Sequence, residues 1–272
     1  MNGSFTTEHC EVGLETPAGR ITTSVEIPTG FVPVTAILPL ARQLAAHSQQ
    51  LDVDQVRQGG GTISCRQGCA ACCRMLVPMS PPEAFALRTY VSELPEERRQ
   101  ALQVRLDRTI DALNAAGLYE PLEAVAETDR VVSDPELEPL NQAYYALRLP
   151  CPFLESEQCT IYEARPAACR ELLVTTPSEW CSNMAENPVA SVPVSIRMST
   201  ALGLLWSTIR QEAPRLIPLP VSLQWAERHL SAQTTGDRGT AILESFLDRL
   251  WRLLSQEFRA RGPTPPHCDD NP

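Results

Sequence analysis

The cysteines limit what this chain can become more than any other feature. Eight of its ten fall in two groups. The first is Cys65-Arg-Gln-Gly-Cys69-Ala-Ala-Cys72-Cys73, where two short spacers and a glycine let successive thiolates converge from one tight turn. Such spacing is characteristic of zinc and iron–sulfur ligation. The second is Cys151-Pro-Phe-Leu-Glu-Ser-Glu-Gln-Cys159-Thr-Ile-Tyr162-Glu-Ala-Arg165-Pro166-Ala-Ala-Cys169-Arg170, with Cys181 following. A lone free cysteine is usually a small buried hydrophobe, but that reading fails for so many at these spacings. The candidate metal ligands are therefore Cys65, Cys69, Cys72, Cys73, Cys151, Cys159 and Cys169, with Cys181 as an eighth. Cys10 and Cys268 lie in terminal segments and are left out.

Neither group contains a histidine, and His9, His47, His229 and His267 are all distant in sequence. The expected site is all sulfur, which favours zinc, iron–sulfur or Cu(I) over magnesium or calcium. Side chains of adjacent residues usually point apart, so Cys72 and Cys73 are expected to serve two metal positions or a cluster. Arg66, Arg74, Arg165 and Arg170 flank the thiols, and guanidinium groups can offset thiolate charge and donate N–H bonds to sulfur. Arg170, beside Cys169, is the strongest of these; Arg66 and Arg74 read equally well as solvated surface residues.

Composition removes several classes of function. A formal charge of −10 and a pI near 5.0 oppose a phosphate-binding surface, so nucleic acid is excluded as a partner. All 23 basic residues are arginine, which rules out a Schiff-base lysine or a phosphate-loop lysine. Met1 to Cys10 lacks the pattern of a signal peptide, and no apolar run reaches the roughly 18 residues of a membrane span. The expectation is a soluble, cytoplasmic protein. In that reducing compartment ten cysteines point to metal or redox chemistry rather than to a disulfide framework.

The chain reads as mainly α, an irregular helical domain organised around a cysteine-ligated metal centre, with a small β-hairpin near the N-terminus. The spacing predicts helices over Val34 to Arg57, over Pro82 to about Leu94 behind an N-cap at Ser80, and from Pro95 to Gly117 on a Leu102, Leu106, Ile110, Leu113 stripe. Further helices are predicted over Pro135 to Leu149, Arg197 to Glu212, and Thr240 to Arg261. The last carries a wide apolar face of Ile242, Leu243, Phe246, Leu247, Leu250, Trp251 and Leu254. The expected organisation is a hairpin and helix over 1–60, a metal-binding domain over 61–182, helices packing on it over 183–262, and a disordered tail over 263–272. Glu96, Glu97, Asp134, Glu136 and Glu138 fall at helix starts, where the helix dipole explains them without catalysis.

Cys69-Ala-Ala-Cys72-Cys73, Cys151-Pro-Phe-Leu, Cys159-Thr-Ile-Tyr162 and Arg165-Pro166-Ala-Ala-Cys169-Arg170 together resemble the zinc- or iron-chelating family named for its CxxCxxCC motif, also called YkgJ-type cysteine-cluster proteins. The resemblance covers about Cys65 to Arg170. It departs from the family at the first spacer, three residues between Cys65 and Cys69 where the name implies two. It implies metal binding and no particular reaction. Some members are labelled iron–sulfur proteins, and related motifs occur in a flagellin lysine N-methylase. Within the motif, Pro166 is expected to open a short helix bearing Cys169. Ile161 and Tyr162 should pack beside the site, Tyr162 as a core aromatic, under an apolar cover of Phe153 and Leu154.

Three functions compete. The first is a metal-binding protein holding zinc or an iron–sulfur cluster through thiolates, with Arg170, Arg165 and Tyr162 behind the ligands. The second is a metal-dependent enzyme, either like radical S-adenosylmethionine enzymes or related to protein methyltransferases. Against the former, Ala71 stands where an aromatic precedes the third cysteine; against the latter, no glycine-rich nucleotide loop follows a strand. The third is a thiol-redox sensor cycling Cys72-Cys73 or Cys69-Ala-Ala-Cys72. The sequence names no substrate and no protein partner beyond the metal ion.

Overall fold

The structure, a computed structural model, describes residues 6–66, 68–184, 186–234 and 236–261. The expected tail over 263–272, with His267 and Cys268, lies outside them. The described chain is mainly α. It opens on the expected hairpin, β1 (Thr7–Thr16) antiparallel to β2 (Gly19–Pro28). Side chains alternate between its faces, so Val12, Leu14, Ile21 and Ile27 are buried while Glu11, Glu15 and Glu26 face out. After β3 (Phe31–Val32) and a 3-10 turn, α1 (Leu38–Gln58) buries Leu40, Ala41 and Leu44 and stops at Gly59. The chain turns away there through Gly60, whose φ of +81° favours glycine.

β4 (Pro78–Met79) leads into α2 (Pro81–Ser92), which starts as its sequence predicts: Ser80 and Glu83 form a reciprocal capping box with Pro81 in the first turn. α3 (Glu96–Ala115) follows, but its buried stripe is Leu102, Leu106, Thr109 and Leu113, with Ile110 at the margin. Next come α4 (Tyr119–Glu127), α5 (Asp134–Ala146), the short hairpin β5 (Leu154–Glu155) and β6 (Gln158–Cys159), and α6 (Ala167–Glu171). α7 (Met198–Arg210), β7 (Ile217–Pro218), α8 (Leu219–Arg228), α9 (Leu230–Thr234), β8 (Asp237–Arg238) and α10 (Gly239–Arg261) complete the chain. Strand β7 pairs with β4 and β8 with β3, so the second half of the chain is tied back onto the first. Among the described residues no helix is long and apolar enough to cross a membrane.

The core is built on Phe85, Trp206 and Trp225, from α2, α7 and α8, each no more than 1% exposed. Their ring centroids lie 5.3 to 6.5 Å apart in tilted and edge-on arrangements, the separations aromatic quadrupoles favour. α10 covers α7 with Ile242, Phe246, Leu250 and Leu254. Trp251 corrects the predicted face: it is 66% exposed, because the i, i+4 row through those four residues is the one turned inward. A second cluster of Met79, Leu87, Leu102, Leu106, Phe153, Ile161 and Leu219 packs against Cys151 and Cys159 and forms the floor of the cysteine-bearing region.

The start of α10 is a close approach. A Cβ added at Gly239 would stand 2.0 Å from the Pro28 carbonyl oxygen, a backbone atom that cannot swing aside. Gly239→Ala is expected to lower stability by about 1–3 kcal/mol, as overpacking does. Urea unfolding of the two proteins measures it.

Candidate metal centre

Four separate pieces of chain bring the cysteines together, and each is set by local backbone bonds. In the first group, Cys69 N–H donates to the Arg66 carbonyl at 3.1 Å, and Gly68 supplies the φ of +82° that the turn needs. Residues Ala71–Arg74 then form a 3-10 turn carrying Cys72 and Cys73. The loop is fastened at its start: Ser64 N–H donates to the Val174 carbonyl at 2.9 Å, and Val174 N–H donates to Cys65 Sγ at 3.3 Å.

The second piece meets the first directly, since Cys151 N–H donates to the Cys73 carbonyl at 2.7 Å. Cys159 returns beside it on the β5–β6 hairpin, where Leu154 is paired with Cys159. The hairpin's two central residues, Ser156 and Glu157, have φ of 49° and 60°, as a tight two-residue turn demands. Arg74 clasps that turn with two bonds to the Glu157 carboxylate, at 2.7 and 3.1 Å.

The third piece is α6, which carries Cys169 one turn after Pro166; the proline is the N-cap residue rather than the first helical one. Its leading N–H groups are satisfied from elsewhere. Ala167 N–H donates to Glu83 Oε1 at 2.7 Å and Ala168 N–H to Ser199 Oγ at 3.1 Å. The fourth piece, the 3-10 turn Ser178–Ser182, lays Cys181 against the Cys72–Cys73 turn. Cys181 is 5% exposed, while the other seven are half-buried.

The thiols lie within one another's electrostatic reach in a two-sided pattern. Cys65 feels Cys69 and Cys72, and Cys181 feels Cys65, Cys72 and Cys69. On the other side Cys151 feels Cys159 and Cys72, Cys159 feels Cys72, and Cys169 feels Cys151, Cys72 and Cys159. Cys72 is common to both sides. Its thiol also meets that of Cys73, so the adjacent pair, expected to point apart, is brought together by its 3-10 turn. Burial pushes the thiols of Cys65, Cys159, Cys169 and Cys181 up, and that of Cys151 up to about 12. Cys72 is raised first by the Cys73 thiol and then by burial. The nine cysteines among the described residues are all free of disulfides.

An all-sulfur donor set of this kind suits a thiophilic metal. Among the described residues no three His, Cys, Asp or Glu side chains already stand at ligating distance from one point. A bound ion would itself have to draw the thiolates in.

A family model described as "CxxCxxCC: Putative zinc- or iron-chelating domain" matches residues 64–186, a span that holds all eight clustered cysteines. Over these residues the chain is similar to that family. No curated protein and no solved structure matches the chain.

Around the cysteines the arginines take distinct posts. Arg165 lies within reach of Cys72, Cys159 and Cys169, and its guanidinium stacks 3.7 Å over the Tyr162 ring. Tyr162 is 43% exposed and is therefore a surface platform for Arg165 rather than a core aromatic. Arg170 reaches Cys159 electrostatically while donating to the carbonyls of Glu163 at 2.7 Å and Arg165 at 3.3 Å. Arg66 is exposed opposite Glu179. Phe153, Leu154 and Ile161 are buried, as an apolar cover should be.

Several supports carry no signal in the sequence. Arg105 of α3 reaches across to Cys151's neighbour, donating to the Pro152 carbonyl at 2.7 Å and pairing with Glu155. Glu171 accepts from Met198 N–H at 2.7 Å, and burial lifts its carboxyl to about 7. The Tyr145 hydroxyl donates to the Cys181 carbonyl and accepts from Met184 N–H, both at 3.1 Å. Tyr145→Phe is expected to cost about 1–2 kcal/mol, because it removes one bond and leaves an N–H unmatched. Hydrogen exchange should show faster opening confined to residues around Cys181.

Proposed function

We propose that the CxxCxxCC domain is a thiolate metal centre holding zinc or an iron–sulfur cluster on Cys65, Cys69, Cys72, Cys73, Cys151, Cys159, Cys169 and Cys181. The observation that carries this reading is the gathering of eight unbridged thiols from four chain segments within one another's electrostatic reach. Arg165 and Arg170 face the charge such a centre carries, and Tyr162 holds Arg165 in place. Residues 61–182 are the metal-binding unit, with 1–60 and 183–262 as its supports, working in the cytoplasm.

When bound, the metal supplies fixed positive charge around which the thiolates order, and iron would add a reversible electron. Each thiol that becomes a ligand gives up a proton. Because burial favours the protonated thiol at Cys65, Cys151, Cys159, Cys169 and Cys181, acid should release the metal.

Anaerobic purification followed by elemental analysis and an absorbance spectrum tests the proposal. Stoichiometric zinc without visible absorbance, or iron with charge-transfer bands and acid-labile sulfide, is the expected outcome. Metal-free protein that takes up neither metal would end it. The contact between Cys72 and Cys73 favours one rival, a dithiol that cycles to a disulfide. Thiol counts that respond to mild oxidant but not to chelation would select that rival.

A further inference from the structure

Next to the cysteine turns, between α5 and the paired strands β4 and β7, lies a cavity of about 990 Å³. That volume stands at the upper end of the roughly 300–1,000 Å³ in which proteins hold drug-sized molecules. One wall is a single face of α5: Asp134, Leu137, Glu138, Asn141 and Tyr145 recur at i, i+3, i+4, i+7 and i+11, and all line it. The facing wall is apolar. Pro78 and Pro218 come from the β4–β7 pair, and Leu76 and Leu216 from the residues leading into those strands. Leu76 and, on the α5 side, Leu140 rest on the main core, which backs both walls.

The end nearest the thiols is built by the cysteine turns themselves. Met75 N–H donates to the Cys72 carbonyl at 3.1 Å, and Met184 N–H donates to the Tyr145 hydroxyl that is bonded to the Cys181 carbonyl. Both methionines line the cavity, and their unbranched, polarizable thioethers adapt to an irregular or aromatic body.

Charge is divided along the cavity. Asp134 and Glu138 stand one turn apart at the start of α5, and among the described residues neither has an ion-pair partner; Arg130, the nearest arginine in sequence, is held by Glu136 at 2.8 Å. Glu138 accepts from the Gln142 amide at 2.6 Å, a neutral partner that leaves its charge unbalanced. Arg148 lies past the other end of the helix, about 20 Å away by the helical rise, with its guanidinium 4.0 Å over the Tyr145 ring.

We propose that this cavity binds an organic cation with an apolar body, the body between α5 and the β4–β7 pair and the ammonium group at Asp134 and Glu138. The site stands on the cavity and its charges, whether or not the cysteines hold metal. Its occupant lies against the turns that carry Cys72, Cys73 and Cys181.

Three probes test it: 1-naphthylmethylamine, 1-naphthylmethanol and 1-naphthoate share a fluorescent ring system and differ in head-group charge. Fluorescence anisotropy of each, titrated with the full chain as purified, should show the amine binding about tenfold more tightly than the other two, since each exposed charge pair adds up to about fivefold. The D134N/E138Q variant should lose that preference and keep the affinity for the alcohol. A146W, which fills the cavity from an exposed position on its rim, should bind none of the three. Circular dichroism screens each variant for folding, and N141W replaces A146W if that one fails. No saturable binding of the amine, or equal binding of all three probes, overturns the proposal. So does an amine preference that survives in D134N/E138Q, which would be general attraction to a chain of charge −10. Binding unchanged in a folded A146W or N141W puts the probe elsewhere and overturns it too.

Discussion

Stripping the metal from the full chain will release the cysteine-bearing segment and leave the aromatic core folded. The loop through Cys65 and Cys69, the β5–β6 hairpin and α6 are short, and each is held by only a few backbone bonds. None could stand alone: isolated helices shorter than about 12 residues are marginal in water, and a lone two-stranded hairpin is no better. Structural zinc on thiolates is worth on the order of 10 kcal/mol at neutral pH, far more than those bonds supply. The triangle of Phe85, Trp206 and Trp225 is built from α2, α7 and α8 and needs no thiol. Hydrogen exchange before and after chelation reads the outcome. Protection should collapse around residues 64–74, 151–160 and 167–182 and persist in α2, α7 and α8. Unchanged protection in the stripped segment would show that the centre does not hold the fold.

Glu83→Ala will be as damaging as emptying the aromatic core, at about 3–5 kcal/mol. The Glu83 carboxylate is 7% exposed and serves two helices at once. At its own helix it accepts from Ser80 N–H at 3.0 Å and Ser80 Oγ–H at 2.7 Å. Across the core it accepts from Ala167 N–H at 2.7 Å and from Ser199 Oγ–H at 3.3 Å. Alanine leaves these buried donors without an acceptor, and each orphan costs about 1–3 kcal/mol before the site relaxes. Because Ala167 opens the helix that carries Cys169, the loss should reach the metal as well. Urea unfolding and metal content measured together should fall for Glu83→Ala. Glu83→Gln, which keeps one carbonyl oxygen, should fall less in both.

Glu83 also shows where sequence reading stops. Its part in the capping box is visible in Ser80-Pro81-Pro82-Glu83, because capping is a local pattern of four residues. Its bond to Ala167 spans 84 positions, and no periodicity reports a contact of that range. The same division holds elsewhere. The Leu102, Leu106, Leu113 stripe, the hairpin near the N-terminus and the cysteine groups are legible because spacing alone sets which side chains share a face or a turn. Tyr145, Arg105 and Val174 are silent because their partners lie on other elements. α4 and α8 escape for another reason: Pro121 and Pro220 sit in their first turns, where proline is tolerated but reads as a break. Tyr162 and Trp251 look like core aromatics by type, and only the packing of neighbouring elements puts them outside.

The bond from Cys151 N–H to the Cys73 carbonyl turns the run from Arg74 to Pro150 into a closed excursion whose two ends meet at the centre. Everything from α2 to α5 leaves the clasp and returns to it. Holding such ends together costs entropy that grows only with the logarithm of length, about 0.6 kcal/mol for each doubling. The surface connection between α4 and α5 could thus be lengthened, or given an inserted module, with little effect on how the thiols meet. The clasp sets the two ends, Glu83, Arg105 and Tyr145 reach back to it from within the span, and the surface connection between α4 and α5 is the part left free to vary in length.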